Sequence, residues 1–149
     1  MIQFKGLGVA IVTPFTRHGE IDFVALETLI EHQISGNTDY IVVLGTTGET
    51  ATLSKEEKNS VVRFVVEKVN RRIPVVVGMG GNNTRSLVNE ILNFNFEGVS
   101  GILSVTPYYN KPTQKGLIEH YRNVAEAAPL PVILYNVPGR TGVNLNPLL

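Results

Sequence analysis

Five short apolar runs recur along the chain at roughly the 30-residue spacing of a βα unit. They cover residues 8–12, 40–44, 73–78, 101–105 and 131–135. None alternates apolar with polar positions, and Val and Ile dominate them. Such runs predict strands buried on both faces, the signature of a parallel sheet. Helical patterns fill the intervals. Asp22 is placed to cap a helix with Val24, Leu26, Leu29, Ile30 and Ile34 as its apolar stripe. Ser54 and Glu57 make a capping box, with Val61, Val62, Phe64, Val65, Val66 and Val69 behind it. Thr84 is expected to cap a third helix carrying Leu87, Val88, Ile91, Leu92 and Phe94. A fourth is expected over about residues 113–127, stopping before Pro129. The repetition of strand, loop and helix predicts an α/β chain of consecutive βα units.

Such units close as a (β/α)8 TIM barrel or lie in an open doubly wound sheet. An open sheet usually shows a glycine-rich phosphate turn after its first strand. Here that strand runs into Thr13-Pro14-Phe15, which favours the barrel. A barrel needs eight units and about 250 residues. This chain has 149 residues and five predicted strands, ending where a fifth helix should start, at Asn146-Pro147. The expectation is therefore that residues 1–149 are the N-terminal portion of a single TIM-barrel domain.

Composition narrows the function classes. Thirteen basic residues balance thirteen acidic ones, so no electrostatic footprint for nucleic acid or an anionic membrane surface exists. No apolar run approaches the roughly 18 residues of a membrane span. The N-terminus lacks the basic region, apolar stretch and cleavage site of a signal peptide. Cysteine is absent, which excludes disulfides, thiolate metal sites and cysteine nucleophiles. A soluble, cytoplasmic protein is expected.

In a barrel, chemistry lies at the C-terminal ends of the strands. The second strand ends in Gly45-Thr46-Thr47-Gly48-Glu49, two hydroxyls between glycines that let backbone approach a ligand closely. The third ends in Gly78-Met79-Gly80-Gly81-Asn82-Asn83, which is not a dinucleotide fingerprint. The fourth ends in Thr106-Pro107-Tyr108-Tyr109-Asn110, and the fifth in Tyr135-Asn136-Val137-Pro138-Gly139-Arg140-Thr141-Gly142. Hydroxyls, phenols and one guanidinium suit proton transfer and carboxylate binding. No metal-ligating cluster and no cofactor site is evident. Each residue also has a plain structural reading: Thr46 and Thr47 as turn residues, Tyr108 and Tyr109 as packing aromatics, Arg140 as a solvated charge. His18, His32 and His120 fall away from the strand ends and read as solvated or packed.

Together, Gly45–Glu49, Val105–Asn110 and Tyr135–Gly142 resemble the motifs of the dihydrodipicolinate synthase family, pyruvate-dependent class I aldolases that include N-acetylneuraminate lyase. The resemblance runs along the whole chain in order. It implies a (β/α)8 barrel with C-terminal helices, commonly a homotetramer built as a dimer of dimers. The implied activity is condensation of pyruvate with aspartate semialdehyde on the route to diaminopimelate and lysine, without a cofactor. Thr47 resembles the threonine that holds the pyruvate carboxylate, and Thr46 the middle of a hydroxyl proton relay. Tyr135 resembles the tyrosine that gives and takes protons at the Schiff base. Tyr109 resembles the relay tyrosine that reaches a neighbouring subunit's site. Arg140 resembles the arginine for the aldehyde substrate's carboxylate. A sugar-acid lyase of the same family and a non-catalytic half-barrel remain alternatives.

The family's nucleophile is a lysine on a sixth strand, which the resemblance places beyond Leu149. Lys5, Lys55, Lys58, Lys68, Lys111 and Lys115 are not positioned to replace it, so the 149-residue chain alone is expected to be inactive. Ser86 also stands where lysine-inhibited members carry an acid, and Lys55 and Lys58 where histidines often occur. Weak or absent inhibition by lysine is the expectation.

Overall fold

The structure, a computed structural model, describes residues 4–147. It divides into two compact units, Met1–Gly78 with Glu97–Ser100, and Met79–Phe96 with Gly101–Leu149.

The first unit holds β1 (Gly8–Ala10), α1 (Phe23–Ser35), β2 (Tyr40–Val43), α2 (Lys55–Val69) and β3 (Val75–Gly78). β1 pairs with β2 and β2 with β3, both parallel, with Val9 opposite Ile41 and Val42 opposite Val76. Two helices return the chain between these strands. Asp22 caps α1 by accepting from the Ala25 amide, at 2.9 Å. Ser54 and Glu57 close the expected capping box, each side chain taking the other's backbone amide. The buried stripes are Leu26 and Ile30 on α1 and Val61, Val62, Val65 and Val69 on α2, and Ile41 and Val75 to Val77 are also buried in the strands. Phe23 packs on Phe64 with ring centroids 4.9 Å apart. Lys68 pairs with Glu27 at 2.7 Å, and Arg72 makes a forked contact with Glu31. Both pairs are solvent-facing, so they orient the helices more than they stabilise them.

The second unit holds α3 (Thr84–Leu92), β4 (Gly101–Val105), α4 (Gln114–Ala127), β5 (Val132–Tyr135) and the short α5 (Pro138–Thr141). β4 and β5 pair in parallel with Val105 opposite Tyr135. Leu87, Ile91, Ile102, Leu117 and Val124 are among its buried apolar side chains.

Several expectations change. α5 lies inside a segment read as a loop. Val24 is 78% exposed and Leu92 64% exposed, so neither belongs to a buried stripe. Both stand beside the true stripe in sequence, where a list of apolar positions captures them but a 100° face does not. Asn83, not Thr84, caps α3 by accepting from the Ser86 amide. β1 and β5 are only partly buried, and Leu134 is 44% exposed. Each pairs with one neighbouring strand among the described residues. Burial on both faces held for β2 and β3 alone, apart from the half-buried Tyr40 and Gly78.

Thr84 is freed from capping and meets His120 instead, Oγ1 to Nδ1 at 2.8 Å. His120 is buried edge-on against Tyr121, whose hydroxyl donates to the Ser104 carbonyl at 3.1 Å. Burial lowers the His120 pKa and raises that of the Tyr121 phenol well above its ordinary range. Below about pH 6.5 an unfolded histidine takes up a proton that the folded one refuses, so stability falls with acid in that window. The urea midpoint is expected to drop between pH 7.5 and pH 5. His120→Gln should flatten that part of the profile; an unchanged slope in the variant removes His120 as its source.

Candidate functional site

The chain turns abruptly at the end of β2. Leu44, buried and with φ +57, takes the left-handed conformation, unfavourable for a branched side chain. This redirects the backbone into Gly45 and a single 3₁₀ turn over Thr46–Gly48. Glu49 follows, also left-handed, at φ +54. The turn is clamped from below. Buried Thr13 donates its hydroxyl to the Gly48 carbonyl at 2.7 Å. A β-carbon at Gly48 would meet the Ile11 carbonyl at 3.3 Å and Thr13 Oγ1 at 3.4 Å, so a side chain there would crowd the clamp. Thr46 and Thr47 are consequently presented side by side, both exposed, with no hydrogen bond of their own side chains among the described residues. Turn residues serving only the fold usually cap backbone groups with their hydroxyls. These two do not do so among the described residues.

Tyr109, Tyr135 and Arg140 belong to the second unit. β4 and β5 end in register, and the Thr106 amide donates to the Tyr135 carbonyl at 3.2 Å. Their two loops therefore leave the sheet side by side. Tyr135 is half-buried, and its hydroxyl has no hydrogen-bond partner among the described residues. Arg140 lies within the one turn of α5 and is exposed. That turn is held from several sides. Thr141 donates to the carbonyls of Val137 and Val143, and Asn136 bonds Asn144 and the Leu145 amide. Gln114 at the start of α4 donates to the Asn144 carbonyl at 2.8 Å.

The loop after β4 is equally constrained. The Asn110 amide and the Asn82 side chain both donate to the Tyr108 carbonyl, at 3.0 and 3.3 Å. Between them Tyr109 is left-handed at φ +75 and 84% exposed. It makes no hydrogen bond to Tyr135; its phenol is aimed outward. Strain of this kind costs about 1–3 kcal/mol per residue and gathers at functional sites. Sequence reasoning placed Thr13, Asn82, Asn136 and Thr141 at strand ends without a supporting role, and passed over Gln114 and Asn144. Their types are turn-forming, and only the carbonyl each one reaches distinguishes them from ordinary loop residues.

The model of the dihydrodipicolinate synthetase family matches residues 3–148. The chain belongs to that family. A 4-hydroxy-tetrahydrodipicolinate synthase from Parabacteroides distasonis is 54% identical over 144 residues, which is 97% of this chain and 48% of that protein. Among solved structures, a dihydrodipicolinate synthase from Bacillus anthracis is similar with a TM-score of 0.93 at 45% identity, over 98% of this chain and 50% of that one. The Acinetobacter baumannii enzyme, solved with pyruvate, is similar with a TM-score of 0.92 at 49% identity, over 97% and 50% of the two chains. The fold is thus α/β, part of a (β/α)8 barrel, with five of its strands in the residues at hand. The chain spans about half the length of the curated relatives it matches. No helix among the described residues is long and apolar enough to cross a membrane, and no group of three or more His, Cys, Asp or Glu there could hold a metal ion.

Proposed function

We propose that the whole protein is a dihydrodipicolinate synthase that condenses pyruvate with L-aspartate semialdehyde through a Schiff base. The observation that carries the reading is the 54% identity to a curated synthase across 97% of the chain. The site motifs are present within that span. Thr47 holds the pyruvate carboxylate, Thr46 is a relay hydroxyl, Tyr109 serves the relay of a neighbouring subunit's site, and Tyr135 gives and takes protons at the Schiff base. Arg140 takes the carboxylate of the aldehyde substrate, where a guanidinium fork matches the two oxygens. The chemistry suits these groups. Carbon–carbon bond formation at the pyruvate methyl needs a stabilised carbanion, which an iminium supplies after losing one proton. The hydroxyls move the protons that imine formation, deprotonation and cyclisation require.

The amine that forms the iminium is not one of the six lysines here. Lys68 is held as a cation by Glu27, which raises its pKa. Lys5, Lys55, Lys111 and Lys115 are exposed, and Lys58 lies on α2. An imine-forming lysine must be desolvated enough to shed its proton. We therefore assign the reactive lysine to a position outside these residues, and on the family's pattern we propose a homo-oligomeric biosynthetic enzyme of the cytoplasm.

The test is reductive trapping. Pyruvate with borohydride should leave the 149-residue chain at its unmodified mass and should add one reduced pyruvate to the whole protein, which should also consume aspartate semialdehyde. A stable adduct on any of the six lysines would refute the assignment of the nucleophile. A whole protein that ignores aspartate semialdehyde but cleaves a sugar acid would move the reading to the lyase branch.

A further inference from the structure

The two loops that leave β4 and β5 have an unusual charge. From Gly98 to Ile118, and again from Ala127 to the last residue, the chain contains no Asp or Glu. Yet these stretches carry Lys111, Lys115 and Arg140, in a protein whose charges otherwise balance at thirteen and thirteen. Lys111 is the one set against the Arg140 turn. A β-carbon on Gly142 would lie 3.1 Å from Lys111 Cε, 3.8 Å from its Cγ and 3.9 Å from its Cδ. The aliphatic stem is therefore laid along the Gly142 backbone, two residues past Arg140. Gly142 is itself left-handed at φ +71 and closes α5.

Lys111 also occupies the left-handed region, at φ +50, two residues after Tyr109. A lysine serving only solubility needs neither a strained backbone nor a packed stem. Both features direct the stem towards the Arg140 turn. Neither Lys111 nor Arg140 has an ion pair or a side-chain hydrogen bond among the described residues. Two unneutralised cations on adjoining loops repel each other unless an anion lies between or beside them, and together they focus a positive field at that mouth.

We infer that Lys111 is a specificity-determining residue, a second cation that acts with Arg140 on the carboxylate of the aldehyde acid. The inference rests on the proposed function. Arg140 supplies the planar fork, and Lys111 adds a point charge beside it that favours anionic over neutral aldehydes. Pyruvate, held by Thr47, should not depend on it.

Steady-state kinetics of the whole protein test this. Lys111→Met should raise KM for aspartate semialdehyde by about tenfold, the effect of roughly 1.4 kcal/mol. The KM for pyruvate and kcat should stay within about twofold of the wild type. Lys111→Arg should recover most of the loss, and Lys115→Met should change nothing. If Lys111→Met does not fold, Lys111→Gln is read by the same criteria. An active wild type whose Lys111 variants keep the same KM for aspartate semialdehyde overturns the role of Lys111 alone. So does an equal rise in both KM values. A wild type that does not turn over aspartate semialdehyde overturns the proposed function, and the role of Lys111 with it.

Discussion

Tyr135→Phe in the whole protein is expected to lower kcat for the condensation by about 10²–10⁴-fold, the usual worth of a positioned proton donor and acceptor. The expectation follows from how Tyr135 is held. It is the last residue of β5, opposite Val105, and its carbonyl accepts from the Thr106 amide. Strand pairing thus fixes its backbone without help from the side chain. The ring is half-buried, and the hydroxyl has no hydrogen-bond partner among the described residues. Phe keeps the ring and the strand and removes only that hydroxyl. The fold should therefore survive, and the loss should fall on kcat rather than on the KM for pyruvate. Thermal unfolding together with kinetics checks both halves. A decrease under about tenfold with an unaltered melting temperature would remove Tyr135 from the proton path.

Gly78→Ala should destabilise the protein by about 3 kcal/mol or more, as overpacking against a rigid wall does. Gly78 ends β3. A β-carbon there would lie 2.2 Å from the Leu44 carbonyl oxygen, 2.6 Å from the Leu44 carbonyl carbon and 2.8 Å from the Gly45 amide nitrogen. All three are backbone atoms, so no rotamer change relieves the clash. They belong to the left-handed bend that redirects β2 into Thr46 and Thr47. Relief must come from moving that bend, so the variant should also lose affinity for pyruvate. Gly81→Ala is the control, since a β-carbon at Gly81 meets nothing within 4 Å. It should stay within about 0.5 kcal/mol of the wild type. Urea unfolding of both variants decides the matter; similar midpoints would mean that Gly78 is not under the constraint described.

Much of the fold was legible from periodicity. The five strand positions and four helices follow from where apolar runs and apolar stripes occur. Ser54–Glu57 was readable because both halves of a capping box lie within one turn. The errors cluster where a local rule has more than one candidate. Asn83 and Thr84 are both good caps, and the choice turned on His120, which lies 36 residues away and takes up the Thr84 hydroxyl. Val24 and Leu92 are apolar but face outward. α5 was hidden in a Pro-Gly-Arg-Thr-Gly segment whose composition reads as turn.

The candidate site divides in the same way. Thr46, Thr47, Tyr109, Tyr135 and Arg140 stand at or just past strand ends, and strand ends are set by short-range pattern, so their positions along the fold were legible in the sequence. It could not show that Leu44 is left-handed, that Thr13 holds Gly48, that Asn82 reaches the Tyr108 carbonyl, or that the Lys111 stem lies along Gly142. Each of these joins residues between 26 and 35 positions apart or is a strained conformation that only such contacts sustain. Local preference chooses elements because neighbouring residues share one backbone. It has no term for a carbonyl brought within 3 Å by a different strand, and that is where tertiary structure decided how the site residues are held.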